Sequence, residues 1–365
     1  MADRSVAANA DATGARYDPD GESFDGDGSR SWEFDTGAEI VAQPAVADGT
    51  VYVSSYDGFV ALDAATGAER WHEALDEQIS TAPAVVDDGT VYAVTYDDLG
   101  RAEGHVRAID AESGRTEWAV DASPGAQSPP VVIGDTLLVP ECRGSLVARD
   151  AATGERQWAT NVGTRTGDCV VADGTVVVGS GDEVVAVALA DGAVQWRADV
   201  ESEVTAGPVV SGDATFVGTA EGEVYALDAS TGERRWAETV FDERIHDATQ
   251  HMYGHVDRDA LADVRSLAAD DDELYVGTFN ALFALGLDSG LPMWTAETDS
   301  GYVWAQTVHE DRLYAGSSGG TVYAFDGVAG AVESRWTCDA DAYPTVAAGS
   351  MYVATRDGAV SGYRR

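Results

Sequence analysis

The sequence predicts an all-β fold, an eight-bladed β-propeller of four-stranded antiparallel blades, and three observations carry that reading. First, seven glycines are each followed by a tryptophan. Six pairs are four apart: Gly67 and Trp71, Gly114 and Trp118, Gly154 and Trp158, Gly192 and Trp196, Gly232 and Trp236, Gly290 and Trp294; Gly330 and Trp336 are six apart. Second, successive tryptophans from Trp32 lie 39, 47, 40, 38, 40, 58 and 42 residues apart. Units of that length cannot bury both faces alone and must stack around an axis. Third, Trp32 lies 12 residues before Pro44, as Trp71 does before Pro83 and Trp196 before Pro208. Trp32 is thus in register as a fourth strand without its first three.

The unit from Ala42 to Trp71, AQPAVADGTVYVSSYDGFVALDAATGAERW, shows the elements in order. A first strand follows Pro44, and Asp48-Gly49 supplies the backbone freedom of a tight hairpin. Val51 and Val53 alternate with Tyr52 at the period of a strand. A second hairpin turns at Asp57-Gly58 before the third strand, FVALD. Asp63 to Gly67 makes a third turn, because aspartate caps local amides and glycine tolerates positive φ. The fourth strand carries Trp71. The aspartate four residues before the glycine recurs in five of the seven units (Asp63, Asp110, Asp150, Asp228, Asp326). Ala188 and Gly286 replace it in the others, so those turns are expected to be less well capped.

Tyr343 to Tyr363, YPTVAAGSMYVATRDGAVSGY, supplies three further strands. Joined by the strand of Trp32 they make one composite blade, and a closed ring has no exposed sheet edge and needs no capping repeats. The domain reading is a leader over residues 1–30, a single propeller over 31–365, and an insertion at 239–263. The leader is polar, rich in Asp, Gly and Ser, and reads as disordered.

The stretch Ala61-Leu62-Asp63-Ala64-Ala65-Thr66-Gly67-Ala68-Glu69-Arg70-Trp71 resembles the tryptophan-docking repeat of the pyrroloquinoline-quinone (PQQ) repeat propellers, and the resemblance covers Ser31 to Tyr363. That family includes eight-bladed quinone-dependent alcohol dehydrogenases and the outer-membrane assembly lipoprotein BamB. The resemblance implies that Trp32, Trp71, Trp118, Trp158, Trp196, Trp236, Trp294 and Trp336 are structural, each packed between neighbouring blades. It does not imply a quinone cofactor, since PQQ in the family's name describes the repeat. The dehydrogenases need a catalytic aspartate, calcium ligands, a cofactor pocket and a vicinal cysteine pair, and this shorter chain has no adjacent cysteines. WD repeats have a similar period, but no tryptophan here is followed by aspartate.

All 22 basic residues are arginine and 64 residues are acidic, a net charge of −42. Self-repulsion on this scale destabilises a compact state unless salt screens it, which points to an extreme halophile. The acids are spread along every repeat, as on a solvated surface, with an acidic dock for a basic partner as the alternative. No basic stripe is present to bind nucleic acid, and anionic membrane surfaces are disfavoured for the same reason. Cys142, Cys169 and Cys338 have no CxxC spacing and form neither a disulfide framework nor a zinc knuckle. No apolar run reaches 18 residues, so no transmembrane segment is expected. The leader has no apolar signal core. As written, the chain is expected to be cytoplasmic and monomeric; if a signal has been removed, the acidic leader fits an exported or surface-tethered protein.

Antiparallel topology puts each blade-to-blade link and each second-to-third-strand turn on one face. The two large departures from the repeat, Tyr96 to His105 and Thr239 to Asp263, both fall there, the layout of a binding surface on a rigid scaffold. The longer one carries His246, His251 and His255. His251 and His255 share the spacing of one helical turn, and Asp247 or Asp257 would complete a metal site. Gly254 and the missing glutamate of an HExxH motif favour an ordinary loop instead. Three blades depart from the habit of beginning with Pro or small residues: near Arg165, Asp168 and Cys169; near Arg265; and near Tyr302, Trp304 and Gln306. These aromatic and arginine groups suit an anchored partner chain or planar ligand, or else packing of the wide central hole.

No Ser/His/Asp nucleophile arrangement or phosphate loop is recognisable. The expected function is a non-catalytic scaffold that holds another protein on the loop-bearing face. The alternatives are a PQQ-dependent dehydrogenase-like protein and a metal or small-ligand site at the histidine insertion.

Overall fold

A computed structural model describes residues 16–17, 29–75, 84–85, 89–96, 104–122, 128–141, 143–241, 262–309 and 312–364. Every assigned element is a β-strand. In the first unit Ala45–Ala47, Thr50–Ser55, Gly58–Asp63 and Glu69–Ala74 lie side by side in chain order, all antiparallel. Among the described residues four more four-stranded sheets repeat this order. A further sheet joins distant parts of the chain: Arg30–Asp35 pairs with Ala359–Tyr363, followed by Ser350–Thr355 and Ala342–Ala347. One strand, Pro292–His309, serves twice. Its first half closes one unit against Phe279–Gly286, and its second half opens the next against Arg312–Ser317.

The turns follow from local chemistry. Asp48 (φ 46°) and Gly49 (φ 68°) both occupy the left-handed region that a two-residue type I′ hairpin requires. In the third turn the Gly67 amide donates to the Asp63 carbonyl at 2.8 Å, and the same bond recurs in the turns that lack the aspartate, from Gly192 to Ala188 and from Gly290 to Gly286, each at 2.8 Å. The aspartate adds side-chain caps. Asp63 Oδ1 accepts from the Ala65 and Thr66 amides (3.1 and 2.9 Å) and the Thr66 hydroxyl (2.8 Å), while Asp63 Oδ2 accepts from Arg70 at 2.8 Å.

Arg70 and Thr66 hold the Asp63 carboxyl at about 2 against an ordinary 3.8. Asp228, paired with Arg235 and capped by Ser230 and Thr231, is held lower still. A carboxylate with a depressed folded pKa contributes stability that is fully present above the unfolded value and lost as pH falls through the folded one. In molar salt the melting temperature is therefore expected to drop between about pH 4 and pH 2. Arg70→Gln should flatten that drop; identical profiles for variant and parent would refute the assignment.

Burial shows where the core lies. The middle strands Thr50–Ser55 and Gly58–Asp63 are buried almost end to end, whereas in Glu69–Ala74 Trp71 is the one buried residue. The alternation of Val51, Tyr52 and Val53 is thus not one of burial: all three are inside. Middle strands are covered on both faces by neighbouring units, and the last strand of a unit on one. Each hydrophobic cluster accordingly draws on two consecutive units. One joins Phe216 and Val224 to Val264, Leu274 and Phe283; another joins Val51, Val60 and Leu62 to Tyr343, Tyr352 and Val360. The first strands approach one another in succession, and Ala342–Ala347 approaches Ala45–Ala47. There Gln43 Nε2 donates to the Pro344 carbonyl at 2.6 Å, and Thr345 Oγ1 to the Pro44 carbonyl at 2.9 Å.

Seven tryptophan rings, from Trp32 to Trp294, lie against the turn glycine of the following unit, as Trp32 does on Gly67 and Trp196 on Gly232. Their indole N–H groups donate to a carbonyl of the same turn: Trp32 to Ala64 (3.2 Å), Trp71 to Ala111 (2.8 Å), Trp236 to Leu287 (2.8 Å). Trp336 differs from its expected place in the series. The other tryptophans pair across the sheet with a small residue of the third strand, such as Ala61 for Trp71 and Gly362 for Trp32. In the seventh unit Ser334 takes that position opposite Ala324, and Trp336 sits two pairs further on, opposite Val322. The wider spacing from Gly330 keeps the face but moves the ring along the strand. Trp336 lies against Tyr363 at 6.5 Å instead.

Two residues of the leader depart from the expectation of disorder. Arg16–Tyr17 forms a short strand, parallel to Pro292–His309, with Arg16 opposite Thr307 and Tyr17 opposite Val308. The physical reason is that the first strand of a unit leaves one edge of N–H and C=O groups unpaired.

Candidate functional site

The N-terminal ends of the first strands, the links that precede them and the second-to-third-strand turns share one face. Ser180, in such a turn, donates from Oγ to the Arg165 carbonyl at 2.5 Å, and the Thr166 hydroxyl donates to the Glu141 carbonyl at 2.7 Å. These bonds hold the link rigidly while the Arg165 side chain reaches outward and pairs with Glu203 of the next unit at 2.7 Å. Asp168 is half-buried beside Cys169, whose thiol burial drives to a high pKa, as an inert core residue. Cys338 is raised to about 11 for the same reason.

The next two units supply the centre of the site. Arg265 forms an ion pair with Asp263 and lies 4.9 Å from the centroid of the Tyr302 ring, a cation–π contact. Tyr302 stacks on Trp304 at 5.7 Å and meets Phe279 edge-on at 5.0 Å. Trp304 is half-buried and packs against the cluster containing Trp32, Ile40 and Tyr343. Burial raises the Asp263 pKa and Arg265 partly offsets this; Glu203 raises it further, which places the Arg165 pair within electrostatic reach of the Arg265 pair.

Gln306 is corrected as a surface candidate. It is fully buried, and its Nε2 donates at 2.6 Å to Ser266 Oγ, which in turn donates at 2.7 Å to the Val303 carbonyl. Its amide ties two units together below the surface, because a side chain three positions into a first strand points between blades. His246, His251 and His255, with most of the insertion at 239–263, lie outside the described residues, as do Cys142 and the middle of the Tyr96 to His105 turn. Among the described residues no group of three or more His, Cys, Asp or Glu is placed to hold a metal.

One part of this face was not anticipated. Arg356, in a second-to-third-strand turn, donates to Glu39 at 2.6 Å and to Asp341 at 3.2 Å. Arg356 and Glu39, with Gly37, Ala38, Ala340 and Asp357, line an open depression of about 400 Å³. The usable signal was an acidic residue just ahead of a first strand, shared by Glu203, Asp263 and Asp341. Each such acid meets an arginine, so the face carries alternating ion pairs around an aromatic centre.

The family model described as outer membrane protein assembly factor BamB matches residues 16–236, 180–274 and 284–364. The chain belongs to this family. The BamB protein of Yersinia pestis is 24% identical over 330 residues, 78% of this chain and 84% of that protein. That of Burkholderia pseudomallei is 36% identical over 108 residues, 29% of this chain and 28% of that protein. The crystal structure of BamB from Moraxella catarrhalis superposes with a TM-score of 0.72 at 16% identity, covering 92% of this chain and 99% of that one. Quinohemoprotein alcohol dehydrogenase from Comamonas testosteroni superposes with a TM-score of 0.74 at 13% identity, covering 98% and 80%. At these identities the two structural likenesses show a shared propeller fold and nothing about chemistry. The cytoplasmic expectation finds no support among the relatives, whose name refers to the outer membrane. No helix among the described residues is long and apolar enough to cross a membrane.

Proposed function

We propose that this protein is a non-catalytic assembly scaffold: a ring of eight blade units, closed where the strand of Trp32 completes the last unit, holding another protein on its link face. The observation that carries the reading is the match to an assembly-factor family over nearly the whole chain. The link face suits the role, since it sets a rigid aromatic group, Tyr302 and Trp304, among arginine–carboxylate pairs, the composition of protein-binding hot spots. The net charge of −42 favours a protein partner over nucleic acid and fits a protein adapted to high salt. By the relatives' name its place of work is outside the cytoplasm, exported or tethered at a surface.

A quinone dehydrogenase is the second reading, and the fold alone favours it. A calcium-assisted quinone site needs free carboxylates. On this face Glu203, Asp263, Asp341 and Glu39 are each paired with arginine and do not fit such a site.

A photo-crosslinking residue placed at Arg165, on the link face, should give a stoichiometric protein adduct in the native host. The same residue at Asp135, in a first-to-second-strand turn on the opposite face, should give none. Equal adducts from both positions, or none from Arg165, would overturn the scaffold reading.

A further inference from the structure

Every first strand of a unit has two edges, and one of them pairs with the second strand. Among the described residues the other edge is left without a strand partner in Ala45–Ala47, Ala84–Val85, Val131–Ile133, Cys169–Ala172, Val204–Ser211, Ser266–Ala269 and Ala342–Ala347. Pro292–His309 is the exception, because Arg16–Tyr17 lies along it in parallel register at Thr307 and Val308. The same two residues also approach Ser266–Ala269 of the preceding unit. The leader strand therefore sits where two first strands converge.

The accepting strand also carries buried polar atoms that the fold leaves unsatisfied. Gln306 and His309 are both fully buried. Gln306 Oε1, Nδ1 of His309 and Nε2 of His309 have no hydrogen-bond partner. A buried amide oxygen or imidazole without a partner costs stability, roughly 1–3 kcal/mol each, and Arg16–Tyr17 on the edge leaves all three unpaired; it is the edge itself, a row of main-chain N–H and C=O groups, that calls for a ligand bringing backbone donors and acceptors. An extended peptide has that chemistry: main-chain bonds supply affinity, and alternate side chains supply selectivity. The dipeptide seated there includes one of three leader arginines, Arg4, Arg16 and Arg30, in a chain of net charge −42. A cationic residue in the incoming strand is drawn to such a protein.

We infer that the free edge of the strand at Thr307–Val308 is a docking site for an extended, arginine-bearing peptide segment of a partner protein, that Arg16–Tyr17 fills it in cis, and that the partner enters by strand exchange. This rests on the scaffold reading and specifies how the partner is held. In a parallel ladder alternate residues turn their amide toward the neighbour, so replacing both Arg16 and Tyr17 by proline removes the donor whichever of them makes the bond.

The test uses the full chain and its R16P/Y17P variant in salt that keeps both folded, with circular dichroism as the check on folding. Hydrogen exchange of the amides from Gln306 to His309 is expected to be about tenfold faster or more in the variant. A synthetic peptide of residues 12–21 should restore protection to the variant and bind it about tenfold tighter than it binds the parent. The same peptide carrying both prolines should do neither. Equal exchange in parent and variant, or equal peptide affinity for both, would overturn the inference. Either result would leave the crosslinking at Arg165 unaffected, so failure here is separable from failure of the scaffold reading.

Discussion

Dialysis from molar salt into dilute buffer is expected to unfold this protein. With 64 acidic residues against 22 arginines and no lysine, compaction forces like charges together over the whole surface. The screening length is about 3 Å at 1 M salt and about 30 Å at 0.01 M. With the short screening length of high salt only neighbouring pairs feel one another; with the long one of dilute buffer the whole surface repels itself. The surface ion pairs do not compensate: each is worth about 0–1 kcal/mol, and many, such as Arg165–Glu203 and Arg30–Glu33, are well exposed. Far-ultraviolet circular dichroism and tryptophan emission should both report the transition, and restored salt should reverse it. A native spectrum retained at about 10 mM salt would refute the high-salt account of the charge.

A single methyl group at Gly67 is expected to damage the fold far more than one at Gly49, although both residues adopt positive φ, 70° and 68°. The backbone penalty for alanine in the left-handed region is about 1–2 kcal/mol and is common to both sites. A Cβ on Gly49 meets nothing within 4 Å, whereas a Cβ on Gly67 would stand 2.5 Å from Cδ2 of Trp32. Relief requires the indole to leave its seat, losing both its packing and its 3.2 Å hydrogen bond to the Ala64 carbonyl. Displacing a buried tryptophan costs roughly 3–5 kcal/mol, so Gly67→Ala should lower the melting temperature by about 10 °C. Gly49→Ala should lower it by roughly 2–4 °C. Equal losses at the two glycines would show that the tryptophan rings do not dock the units. Trp336→Ala should be milder than Trp32→Ala, because Trp336 is displaced by two pairs along its strand.

The repeat, the turns and the strands were legible because their causes are local. Asp48-Gly49 specifies a hairpin by its own dihedral preferences, and the Asp63 to Gly67 turn by a cap and one glycine. That the strand of Trp32 belongs with strands far along the chain was expected from the 12-residue offset to the next proline, and Arg30–Asp35 pairs with Ala359–Tyr363; the pairing of Trp32 with Gly362 came from the structure. That Val51, Tyr52 and Val53 would all be buried was not legible from their alternation, since whether a strand is covered on one face or two depends on what packs against it.

The amino-acid sequence by itself determined the repeating unit, its turns and a net charge of −42, all of which follow from short-range stereochemistry or composition. The tertiary structure alone decided which side chains meet. It brought Arg356 to Glu39 and Asp341, set Arg265 over Tyr302, drew Gln306 inward to Ser266 and laid Arg16–Tyr17 along Thr307–Val308. These contacts join different units, and their geometry depends on the angle and spacing between sheets, which no local pattern of residues encodes.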